Sequence, residues 1–123
     1  MLRTELICSI QDKVTTGSVF DNPGGGTSEI VSVSNERIVY RRRNSKLYIK
    51  IKDIVDVYEK FAGKRCTTND IKTLNPRVFC SGGNGHGCHC TFIFIILDYL
   101  KLLKNGICGN GKAGDPFYVE ILQ

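Results

Sequence analysis

Eleven consecutive residues, Cys80-Ser-Gly-Gly-Asn-Gly-His-Gly-Cys-His-Cys90, hold both histidines of the chain and three of its six cysteines. Thiolate and imidazole are zinc ligands, and Cys80, His86, Cys88 and Cys90 supply the N and S donors of a tetrahedral site, with Cys66 or Cys108 in reserve. Zinc is therefore the candidate cofactor. The spacing is unlike that of structural zinc sites, which pair ligands roughly two to four residues apart in two separated knuckles; here a single cluster ends in Cys-x-Cys. A second chemistry is nucleophilic. Cys88 or Cys90 at a helix N-terminus would have a lowered thiol pKa, with His86 or His89 as base, but no third, orienting group can be named. The plain alternative is that the cysteines are small buried hydrophobes closing a core beneath the loop.

The other unusual chemistry is electrostatic. Of 17 Lys and Arg against 12 Asp and Glu in 123 residues, seven cations (Arg37, Arg41, Arg42, Arg43, Lys46, Lys50, Lys52) fall between Arg37 and Lys52 with no acid among them. The remaining chain carries 10 cations against 12 acids, so the net charge of +5 comes from this one segment. Arginine suits phosphate because its planar fork donates two hydrogen bonds at once, and a neighbouring tyrosine can stack on a base.

The elements that hold these cations are readable. Residues 29–34, 37–42 and 46–51 are rich in Val, Ile and Tyr and are separated by Asn35-Glu36 and Arg43-Asn44-Ser45, the pattern of a three-stranded antiparallel meander. With turns at Asn35-Glu36 and Asn44-Ser45, Val33 meets Ile38, Val31 and Ile49 both meet Tyr40, and Ile38 meets Ile51, giving an apolar face. The opposite face gathers Ser32, Ser34, Arg37, Arg41, Arg43, Lys46, Tyr48, Lys50 and Lys52 with Val39. Such a face is ordinarily just solvated, and lysines there discourage edge-to-edge aggregation. Six like charges on a patch about 15 Å across nevertheless disfavour folding, and that cost points to an anionic partner. Nucleic acid, DNA or RNA, is the first such partner; an acidic protein surface bound by an adaptor or inhibitor is the second.

Around the meander, Leu2, Leu6, Ile7, Ile10 and Val14 predict an amphipathic helix over residues 2–14. The loop Asp21-Asn-Pro-Gly-Gly-Gly-Thr-Ser28 lacks the lysine and following helix of a phosphate-binding loop and reads as a flexible connection. Asp53 caps a predicted helix over residues 54–62 that Gly63 ends, and Thr67 or Thr68 caps another through Leu74 that Asn75-Pro76 stops. The longest predicted helix opens at Cys90 or Thr91 and runs through Lys104. Its run Phe92–Leu97 is apolar all round, as in a buried core helix, although such a helix can also pack in a homodimer interface. A glycine-rich hairpin, 107–116, leads to a last strand, 117–122.

Helix, short helix, longer helix and glycine-rich hairpin over residues 53–122 resemble a winged helix-turn-helix domain. The resemblance implies DNA binding, with the 91–104 helix entering the major groove and Lys112 on the wing.

The expectation is thus one α+β domain over residues 1–123, in which 1–52 form a helix and basic meander and 53–123 a helical, winged-helix-like part with a terminal β-hairpin. No apolar run approaches the roughly 18 residues of a membrane span, and the N-terminal residues lack the regions of a secretory signal, so a cytoplasmic protein is expected. The absence of H-E-x-x-H, G-x-S-x-G and Walker signatures lowers the case for an enzyme. The residues proposed to contact nucleic acid are Arg37, Arg41, Arg43, Lys46, Lys50 and Lys52, with Tyr48 stacking and Lys112 auxiliary.

Overall fold

Residues 1–80, 85 and 87–123 are described by a computed structural model, in which the chain divides into two compact units, Met1–Lys60 and Phe61–Gln123. Both helices and antiparallel strands are present, in an α+β arrangement. No helix among the described residues is long and apolar enough to cross a membrane.

The first unit opens with α1 (Arg3–Lys13), whose Leu6 and Ile10, four residues apart, share one face and are fully buried. Four strands follow: β1 (Val19–Asp21), β2 (Thr27–Val33), β3 (Arg37–Arg42) and β4 (Ser45–Lys50). The sheet is therefore four-stranded and antiparallel, in the order β1-β2-β3-β4, which overturns the three-stranded meander. The additional strand is too short for alternation to reveal it, and the glycine loop beside it is a hairpin turn. Asn22 donates its N–H to Gly26 O at 2.9 Å, and the buried Ser28 hydroxyl donates to Asn22 Oδ1 at 2.6 Å. Gly25 and Gly26 hold φ of 108° and 74°, values that cost a side-chain-bearing residue far more.

Two details of register decide which side chains face out. Val33 pairs with Ile38, but a bulge between Ile30 and Ser32 leaves Val31 without an opposite number, so Tyr40 pairs with Ile30. The turn between β3 and β4 is Arg43-Asn44, one residue earlier than expected, with Arg43 in the left-handed region at φ 56°. Ile38 then faces Ile49 and Tyr40 faces Leu47, a displacement of two residues that leaves every side chain of β4 on its expected face.

Ile51, released from the sheet, begins α2 (Ile51–Phe61), three residues before the expected start. Asp53 lies in its first turn rather than at its cap, where a carboxylate complements the helix dipole. Burial pushes the Asp53 carboxyl above its ordinary range, and the Lys52 charge works against that rise. Arg3 ties α1 to α2 by reaching Asp56 at 3.1 Å and pairing with Glu59, and within α2 Lys52 reaches Asp56 at 2.8 Å.

The second unit contains β5 (Arg65–Thr67), α3 (Thr68–Leu74), α4 (Pro76–Phe79), α5 (Cys88–Tyr99) and β6 (Tyr118–Glu120). Thr67 and Asp70 form a reciprocal capping box at 3.0 and 2.9 Å, and Asn75-Pro76 ends α3 and starts α4. Phe92–Leu97 of α5 are all buried, so this helix offers neither a polar face to a DNA groove nor an apolar face to a second copy. It stops at Tyr99 instead of Lys104, because Lys101 turns left-handed at φ 62° and carries Leu103 into a bridge with Ile121. Near the C-terminus β6 has its ladder with β5, and the 107–116 segment folds back antiparallel through single bridges, Lys112 with Asp115 and Cys108 with Tyr118.

Candidate functional site

Alternation along β3 and β4 puts Arg37, Val39 and Arg41 on the same sheet face as Lys46, Tyr48 and Lys50, with the cross-strand pairs Arg37 with Lys50, Val39 with Tyr48 and Arg41 with Lys46. All four cations are exposed, and Tyr48 is 57% exposed. The other proposed contacts lie elsewhere. Arg43 sits in the turn at the end of this face. Lys52 is on α2, engaged by Asp56, and Lys112 belongs to the second unit, where it bridges to Asp115 in the glycine-rich turn.

The face is also less purely basic than its sequence suggests. Glu29 stands directly opposite Arg41 with their charged atoms 3.7 Å apart. An unbroken ladder from the Val33–Ile38 pair would set Glu29 opposite Arg42 on the inner face. The bulge at Val31 rotates the preceding residues by one position, turning Ile30 into the core and Glu29 outward. This exposed pair contributes about 0–1 kcal/mol to stability, but it cancels much of Arg41's charge toward a ligand.

The Arg37 guanidinium lies over the Tyr48 ring, 4.9 Å from its centroid. A cation over a ring face is attracted by the ring's quadrupole, and a stacked guanidinium can still donate to a phosphate. Beside this pair is an open groove of about 710 Å³ whose lining includes Ile7, Ile51, Glu36, Arg37, Tyr48 and Lys50. Its turn wall is fastened from several sides. Backbone N–H groups of Glu36 and Arg37 donate to the Ser34 hydroxyl at 3.3 and 3.2 Å, Ile51 N–H donates to Glu36 O at 2.9 Å, and Gln11 Nε2 donates to Asn35 O at 3.3 Å. The groove had no counterpart in the sequence reading, since Ile7 and Tyr48 meet only through the fold.

In the cysteine-histidine loop, Cys80 follows α4, Cys88 and Cys90 occupy the first turn of α5, and His86 lies outside the described residues. Among the described residues no three His, Cys, Asp or Glu side chains converge on a point that could hold a metal ion. Cys66 and Cys90 are buried, and their thiols donate to the carbonyls of Thr67 at 3.6 Å and Thr68 at 3.8 Å. Burial pushes the Cys66 thiol up to about 12 and the Cys90 thiol up to about 11. Cys90 is thus protonated at neutral pH, and the start of α5 does not make it a thiolate nucleophile. His89 is buried edge-on to the Phe79 ring at 6.5 Å.

No family model, curated protein or solved structure matches this chain.

Proposed function

We propose that this protein is a small non-enzymatic nucleic-acid-binding protein that contacts phosphates through the outer face of its four-stranded sheet. The observation that carries this reading is the exposed Tyr48 with Arg37 stacked on it, set between Lys46 and Lys50 on one strand. Cations alone would serve any acidic surface. An exposed aromatic ring among them adds affinity for the flat face of a base.

Arg37, Lys46 and Lys50 are the principal phosphate contacts, Arg43 extends them at the turn, and Arg41 contributes less because Glu29 is paired with it. Fluorescence anisotropy with labelled DNA and RNA, single- and double-stranded, over a range of salt tests this. Binding at micromolar concentration or tighter that weakens as salt rises and disappears in the Arg37→Ala/Lys46→Ala/Lys50→Ala variant supports it. A folded protein that binds none of the four, yet captures an acidic protein in their absence, overturns it in favour of an adaptor.

A further inference from the structure

The groove beside Tyr48 differs from the rest of the basic face in being concave, partly apolar and furnished with one carboxylate. At about 710 Å³ it falls within the range of roughly 300–1,000 Å³ typical of small-molecule sites and has room for a single nucleotide. Ile7 and Ile51 are apolar members of its lining, Arg37 and Lys50 are adjacent cross-strand cations in it, and Glu36 contributes a carboxylate. No ion pair or hydrogen bond engages the Glu36 carboxylate among the described residues.

A duplex presents base edges and phosphates and keeps the faces of its bases stacked on one another. Tyr48 can therefore use its ring only on a base that has left its stack. Cations beside a lone carboxylate also match the two ends of a nucleotide: phosphate accepts from Arg37 and Lys50, and a carboxylate accepts from an exocyclic amino group. The fastened Ser34–Arg37 turn holds these groups in place before binding, which limits the entropy lost on association.

Resting on the nucleic-acid reading above, we propose that the groove seats one unstacked nucleotide of a single strand. Its base lies against Tyr48, its phosphate between Arg37 and Lys50, and its amino edge on Glu36. The protein is then a single-strand binder with a preference for amino-bearing bases at one position.

The experiment compares wild type, Tyr48→Ala, Tyr48→Phe and Glu36→Gln against oligo-dC, oligo-dT and a mixed-sequence duplex at one salt concentration. Tyr48 is largely exposed, so neither of its substitutions opens the core, and circular dichroism verifies the fold. Tyr48→Ala is expected to weaken single-strand binding by about tenfold or more while leaving the duplex within about twofold; Tyr48→Phe keeps the ring and the affinity. Glu36→Gln is expected to reduce the ratio of oligo-dC to oligo-dT affinity. If Tyr48→Ala leaves single-strand binding intact or weakens both forms alike, the groove proposal fails while the basic face stands. If no nucleic acid binds at any salt, the proposed function fails and takes the groove with it.

Discussion

Removing Asp56 is expected to tighten nucleic-acid binding, although the residue lies on α2, outside the sheet. Four of the cations proposed to face a ligand, Arg37, Arg43, Lys46 and Lys50, make no ion pair within 4 Å among the described residues. Counterion release on a single strand gives a slope of about −0.7 in log K against log salt per phosphate neutralised, so four contacts give about −3 and a loss of about fiftyfold between 50 and 200 mM salt. Asp56 meanwhile holds Lys52 at 2.8 Å and Arg3 at 3.1 Å, and both line the margin of the groove. Asp56→Asn releases Lys52, while Arg3 stays paired with Glu59. Lys52 on a phosphate steepens the slope by about 0.7 and adds about fivefold in affinity near 100 mM salt, so the variant should approach a slope of about −3.5. Anisotropy titrations at five salt concentrations on both proteins measure this directly, with thermal melts to show that the variant is folded. An unchanged or shallower slope in a folded Asp56→Asn protein would refute the idea that ion pairing decides which cations bind. A wild-type slope near −5 would refute it from the other side, because all seven cations of the segment would then be counted.

Asp56 also makes acid stability testable. Burial acts to raise its carboxyl, but hydrogen bonds from Lys52 and Arg3 outweigh that and hold it below the ordinary value of 3.8. A lowered folded pKa contributes stability that is present above the unfolded pKa and lost as pH falls through the folded one, so urea midpoints of wild type and Asp56→Asn should differ at neutral pH and converge in acid. Arg43→Gly relieves a left-handed φ of 56° and removes a cation; its melting temperature is expected to match or exceed wild type while the salt slope falls by about 0.7, and a clear drop in melting temperature would contradict the turn geometry. A thiol reagent at pH 8 is expected to label exposed Cys8 promptly and to reach buried Cys66 and Cys90 only after denaturation, as intact-mass spectra of native and unfolded protein can show.

The sequence reading succeeded where a side chain's environment repeats along one element and failed where a single residue changes the count. Leu6 and Ile10 locate α1, Thr67, one of the two cap candidates, locates the start of α3, and the apolar run Phe92–Leu97 announces burial on every side. β1 escaped because three residues contain too little alternation to separate a strand from a loop. The β3–β4 turn was misplaced by one residue, yet the faces of β4 stayed legible because the resulting register change is by two, the period of a strand. The bulge at Val31 was costlier. A change by one exchanges inside for outside, and it moved Glu29 onto the very surface whose lack of acids had made it conspicuous. No propensity marks Val31 as the bulged residue; the demand that Ile30 be buried does.

That correction alters the reason for associating this surface with a ligand. Six like charges on one face implied a fold under electrostatic strain and a partner needed to relieve it. In the folded chain Glu29 partners Arg41, Asp56 holds Lys52, and the negative face of the Tyr48 ring receives Arg37, so three of the six already have local partners. Relief of repulsion therefore no longer demands an anion. What argues for one is the arrangement: Arg37 is held over the exposed Tyr48 ring, beside Lys50 and a groove with Ile7 and Ile51 in its lining. Charge spread for solubility needs none of these, whereas an exposed ring and an oriented guanidinium at the mouth of a fastened groove give a partner with a phosphate and a flat face something specific to bind.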